Sequence, residues 1–133
     1  TQAAVIHDRS EYGQVLVETF MANFEVGGGG VVAYEGIDQG GDDFTLVLRA
    51  IAPKDPELIY FGGLAREAAT LVRQMRELGI SALFMSSDGL FTSSEWTYDE
   101  GFIEAAGGAA EGAFVTVPKV MVDQWRAAYW QSI

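Results

Sequence analysis

The sequence contains no cysteine, which excludes disulfides, thiolate metal sites and a cysteine nucleophile and leaves the redox character of the compartment open. Histidine is nearly absent as well: His7 stands alone, so a histidine metal cluster is excluded. Basic residues are scarce, with 8 Lys and Arg against 19 Asp and Glu and a formal net charge of −11. Phosphate backbones and anionic membranes repel such a chain on average, which argues against nucleic-acid binding. No apolar run approaches the roughly 20 residues that span a bilayer, and the amino terminus lacks the basic-then-apolar layout of a signal peptide. What is present is 133 residues, 49% of them hydrophobic, enough apolar material for one domain with one sizeable core.

The apolar residues alternate between two spacings. Ala3 to His7 is a short apolar run, and Asp8 to Glu11 is a polar cluster with helix-capping residues. Val15, Leu16, Phe20 and Phe24 then recur at helical spacing until Gly27 to Gly30 stop them. The same cycle predicts a strand at Val31 to Tyr34, a helix carrying Phe44, Val47, Leu48 and Ile51 after Asp42-Asp43, and a strand at Leu58 to Phe61. It continues with a long helix striped by Leu71, Val72, Met75 and Leu78, a strand at Ala82 to Met85, a short helix at Phe102 to Ala106, a strand at Ala113 to Val117 and a last helix from about Val120. Nearly uniformly apolar strands alternating with helices indicate a parallel sheet covered on both faces, a three-layer αβα, doubly wound, flavodoxin-like α/β fold.

In such sheets the loops at the carboxyl ends of the strands gather beside a topological switch point, where ligands bind. This selects Asp8 to Gly13, Gly62 to Ala65, and Ser86 to Gly89. Gly62-Gly63 either presents free amides at a helix amino terminus to a carboxylate or makes a tight turn that binds nothing. Asp88 either pairs with a ligand ammonium or caps a helix. Tyr12 either closes over a small ligand or simply packs. Other features carry less. Gly27 to Gly30 follows a helix, lacks Lys-Ser/Thr and is a permissive turn, not a phosphate loop. His7 at a strand end has the setting of a packed or hydrogen-bonded residue. G-x-S-x-G is absent and Ser86 and Ser87 have no base nearby in sequence, so nucleophilic catalysis is unsupported. Glu95, Asp99 and Glu100 lack ordered calcium-ligand spacing and read as an acidic surface.

Several segments, in order, resemble the second lobe of the periplasmic leucine/isoleucine/valine-type binding proteins. They are Val5 to Gln14, Val32 to Ile37, Asp43-Phe44, Leu58 to Gly63, Leu71 to Gly79, Phe84 to Leu90 and Ala110 to Pro118. The resemblance implies a non-enzymatic extracytoplasmic receptor, periplasmic or extracellular and without a cofactor. Such a receptor closes two lobes on a branched-chain or related amino acid and delivers it to the membrane permease of an ABC importer. It further implies that Tyr12 lines the cleft, that Asp88 receives the ligand ammonium, and that Gly63, Leu64, Ala65 and Ser87 complete the ligand-binding set. Residues 1–118 make the lobe. Residues 119–133 make a helix in which Met121, Val122, Trp125 and Tyr129 form an apolar stripe, either covering this lobe's own sheet or pairing two copies as a homodimer. A lobe without its opposite wall is expected to bind weakly. The alternative is a self-associating flavodoxin-like module with no ligand function.

Overall fold

A computed structural model describes residues 1–90, 101–117, 119 and 123. Strands β1 (Gln2–His7), β2 (Gly30–Gly36), β3 (Leu58–Gly62), β4 (Leu83–Ser87) and β5 (Phe114–Thr116) form one sheet in the order β2-β1-β3-β4-β5. Each neighbouring pair is parallel. Helices α1 (Glu11–Val26), α2 (Thr45–Ile51), α3 (Ala65–Glu77) and α4 (Phe102–Ala106) connect them. The fold is thus the flavodoxin-like α/β sheet that the alternating pattern predicts.

Alternation of side chains along each strand divides the core into two clusters. On one face, Ala4, Ile6, Ile59, Phe61 and Phe84 meet Leu48 and Ile51 of α2, Leu71, Val72 and Met75 of α3, and Phe102 of α4. On the other, Val5 and Tyr60 meet Val17 of α1, flanked by Leu16, Phe20, Met21, Val31 and Met85. Each large side chain buried in this way contributes about 1.5–3 kcal/mol. Phe20 stacks on Tyr60 with ring centroids 4.2 Å apart.

The pattern differs from expectation at several positions. Val15 is 55% exposed, whereas Gly13 and Val17 are the buried positions of α1. Residues one turn apart share a face, and the face of Leu16, Phe20 and Phe24 takes in Gly13 and Val17, both within about 60° of its centre, but leaves Val15 about 140° from it. Phe44 is also outside α2: it stands at the N-cap, and the Asp43 carboxylate accepts from the Thr45 amide at 3.0 Å and its hydroxyl at 2.7 Å. Strand β4 runs two residues further than the apolar pattern, through Ser86 and Ser87. Their pairing with Val115 and Thr116 keeps the ladder intact, and the Ser86 hydroxyl donates to the Phe61 carbonyl at 2.7 Å. At the other edge Gly28, with φ +91°, turns the chain from α1 into β2. The acidic residues Glu95, Asp99 and Glu100 and the apolar stripe Met121, Val122, Trp125 and Tyr129 lie outside the described residues.

Strand order sets the ligand edge. The chain leaves β1 towards β2 and returns to β3 on the other side of β1, so a crevice opens above the carboxyl ends of β1 and β3.

Candidate functional site

Helix α1 starts at that crevice because three polar groups hold its first turn. Ser10 is the N-cap, with its hydroxyl accepting from the Gly13 amide at 2.9 Å. Asp8, only 2% exposed, accepts from the Ser10 amide at 3.0 Å and from the Ser10 hydroxyl through Oδ1, and from Gln39 Nε2 at 2.9 Å through Oδ2. The Asp8 amide donates to the Gly62 carbonyl at 3.0 Å, tying this loop to the end of β3. A carboxylate buried this deeply is tolerable because charge-assisted hydrogen bonds satisfy it. Gly13 completes the junction: a Cβ built there would lie 2.5 Å from the Gly62 carbonyl oxygen and would collide with Asp8 Oδ1.

This arrangement places Tyr12, the second residue of α1, over the end of β4. Its hydroxyl lies 3.1 Å from Ser87 Oγ and donates to Asp88 Oδ1 at 3.3 Å. Ser87 is buried and Asp88 half-buried, at the start of the 3₁₀ turn Asp88–Leu90. Leu64 stands at the N-cap of α3 in an extended conformation, 46% exposed, and no side chain caps that helix. Gly63, buried, sets its carbonyl oxygen beside Gly89 of the Asp88 turn. Tyr12, Gly63, Leu64, Ser87 and Asp88 are therefore brought together, as the strand-end rule requires. Ala65 is not on this surface: it is 4% exposed, and its side chain belongs to the core under α3.

Three further residues shape the edge without having been singled out by type. Gln39 reaches Asp8, Glu67 accepts from the Gly40 amide at 2.8 Å, and Gly89 sits where all the loops touch. The first two depend on contacts 31 and 27 residues apart in the chain, which no local pattern encodes. Gly89 lies in the strand-end loop Ser86 to Gly89, but its residue type carried no further sequence signal. Arg9, in the left-handed region at φ 62°, pairs with Asp38 at 2.6 Å, but both side chains are exposed and the pair adds little. His7 Nδ1 accepts from the Arg9 amide at 3.0 Å and the ring packs against Tyr34 at 5.1 Å, so His7 is a hydrogen-bonded, packed residue.

Residues 1–128 match the sequence profile of the periplasmic binding protein family. The chain belongs to that family. It is 39% identical over 132 residues to an amino acid binding protein of Pseudomonas aeruginosa, covering 95% of this chain and 35% of that protein. It is 32% identical over 116 residues to the leucine-specific-binding protein of Salmonella typhimurium, covering 87% of this chain and 30% of that one. Among solved structures, a leucine-binding protein from Thermotoga maritima superposes with a TM-score of 0.74 at 30% identity, covering 85% of this chain and 31% of that chain. The 133 residues span about a third of the length of these relatives.

In this periplasmic binding protein lobe the two tyrosines near the site are electrostatically coupled to it. Burial pushes the Tyr12 phenol up from its ordinary value, the Ser87 hydrogen bond offsets part of this, and the Asp88 charge raises it further. Tyr60, below Tyr12, is raised mainly by burial as well, with Thr116 opposing and the Tyr12 and Asp88 charges adding to it. In both cases the folded state holds its proton more tightly than the unfolded chain. The stabilisation is therefore complete below pH 10 and is lost as the pH rises through the folded-state values. Urea unfolding measured from pH 9 to pH 12 is expected to show this decline, and Tyr60→Phe to make it shallower. An unchanged slope in the variant would contradict the assignment.

Proposed function

We propose that these residues form one wall of an amino-acid cleft in an extracytoplasmic solute-binding protein that supplies an ABC importer. The observation that carries this reading is the Tyr12, Ser87 and Asp88 cluster beside Leu64 at the switch-point edge. Asp88, half-buried, receives the ligand ammonium in a charge-assisted hydrogen bond. The half-exposed Tyr12 and Leu64 flank it with apolar surface, which suits an aliphatic side chain. The kinship with a leucine-specific-binding protein and with a leucine-binding protein of solved structure supports leucine, isoleucine or valine as the ligand class. Family membership supports a periplasmic location and a permease as the membrane partner. Nothing in the cluster pairs a nucleophile with a base, and the reading is one of capture and release, not of catalysis.

One wall grips a ligand incompletely. The affinity expected of the 133 residues alone is millimolar, about −4 kcal/mol. Calorimetric titration with leucine, isoleucine and valine tests this, with 4-methylpentanoate, which lacks the ammonium, as the control. Weak saturable heats for the amino acids and none for the control are expected. Equal binding of 4-methylpentanoate would overturn the role of Asp88, and absence of binding by every amino acid up to tens of millimolar would overturn the ligand class.

A further inference from the structure

Gly89 has no conformational need to be glycine. Its φ is not in the left-handed region, where a side chain is strained, so the reason must be space. A Cβ built at Gly89 would lie 2.6 Å from the Gly63 carbonyl oxygen, 3.0 Å from the Tyr12 hydroxyl and 3.4 Å from Leu64 Cδ2. The first of these neighbours is backbone and has no rotamer to move away. The three contacts also belong to two other loops of the site: the start of α1 (Tyr12) and the β3-to-α3 connection (Gly63 and Leu64). Gly89 is therefore a point at which the Asp88 turn meets both of the other loops of the site.

We propose that Gly89 is a positioning residue: the missing side chain lets the Asp88–Leu90 turn seat against Gly63, and this seat sets the contact between Asp88 and the Tyr12 hydroxyl. The inference rests on the amino-acid reading above only for its consequence in ligand binding. Its geometry stands separately. Any side chain at 89 forces the turn away from Gly63, carrying Asp88 outward and loosening the pair that a ligand ammonium meets.

The test is Gly89→Ala in the full 133-residue chain, with Gly108→Ala as control, because a Cβ at Gly108 meets nothing within 4 Å. Tyr12 is followed through its ring signals in NMR spectra and through its phenol titration. In Gly89→Ala the Tyr12 signals are expected to shift and its titration to move back towards that of a free tyrosine, and leucine affinity to fall at least tenfold. Gly108→Ala is expected to change none of the three. Tyr12 signals and titration identical in the two variants would overturn the proposal. If neither the parent chain nor the variant binds leucine while the Tyr12 signals move in Gly89→Ala alone, the positioning role stands and the amino-acid reading falls. Wild-type protein supplies a check that requires no variant: magnetisation transfer between Gly89 Hα and both the Tyr12 ring and the Leu64 methyls is expected, and its absence would also overturn the proposal.

Discussion

Gly13→Ala is expected to destabilise the fold by about 3 kcal/mol, although alanine is the best helix former and Gly13 lies in the first turn of α1. Helix propensity alone favours the substitution by up to about 1 kcal/mol. Against that gain stands a methyl group placed 2.5 Å from the Gly62 carbonyl and on top of Asp8 Oδ1. Overpacking of a tight junction costs about 1–3 kcal/mol. Displacing a buried carboxylate from its donors costs about 1–3 kcal/mol more, because Asp8 cannot regain water where it sits. The steric and electrostatic terms therefore outweigh propensity. Urea unfolding is the measurement, with a lower midpoint and an unchanged slope. A gain in stability would mean that α1 does not dock on β3 through this glycine.

Asp88→Asn is expected to weaken leucine binding by at least about 1.5 kcal/mol, more than tenfold, with little effect on stability. The amide keeps the shape of the carboxylate and still accepts from the Tyr12 hydroxyl, so the turn has no reason to unfold. What it loses is the charge opposite an ammonium. In a cleft closed by a second lobe, removal of one partner from a desolvated pair costs roughly 2–5 kcal/mol, so the effect grows when the opposite wall is present. For the 133-residue chain, calorimetry or NMR titration is expected to show binding reduced below detection. Leucine affinity equal to that of the parent would remove Asp88 from the site.

The fold was largely legible because a parallel sheet buried on both faces leaves an unambiguous mark: short, nearly uniform apolar runs such as Val5-Ile6 and Leu58 to Phe61, separated by helical stripes. The places where the reading slipped were local in cause. Val15 looks like a core residue by composition and is exposed, because position around the helix, not hydrophobicity, decides burial in α1. Ala65 adjoins the ligand loop in sequence, yet as the first residue of α3 it faces the core, while Leu64, one position earlier, faces outward. Strand-end topology brought Tyr12, Ser87 and Asp88 together at one edge, because such loops converge whatever their sequence. The Asp8 to Gln39 and Glu67 to Gly40 bonds were not legible, since they are made between segments about thirty residues apart that meet only when the sheet has formed. Gly89 shows the same dependence, as its neighbours come from two other loops.

The polar support beneath the proposed site is made by the chain's own hydrogen bonds. Asp8 anchors the start of α1, and Glu67 anchors the loop that carries Gln39. A preorganised wall loses less freedom on binding, so more of the contact energy appears as affinity once the cleft closes.

The most direct measurement is a titration of the 133-residue chain with leucine followed by amide NMR. The account predicts saturable shifts concentrated at Tyr12, Gly63, Leu64, Ser87, Asp88 and Gly89, with Gly27 to Gly30 at the opposite edge unmoved. Shifts centred on that opposite edge, or spread evenly without saturation, would contradict it.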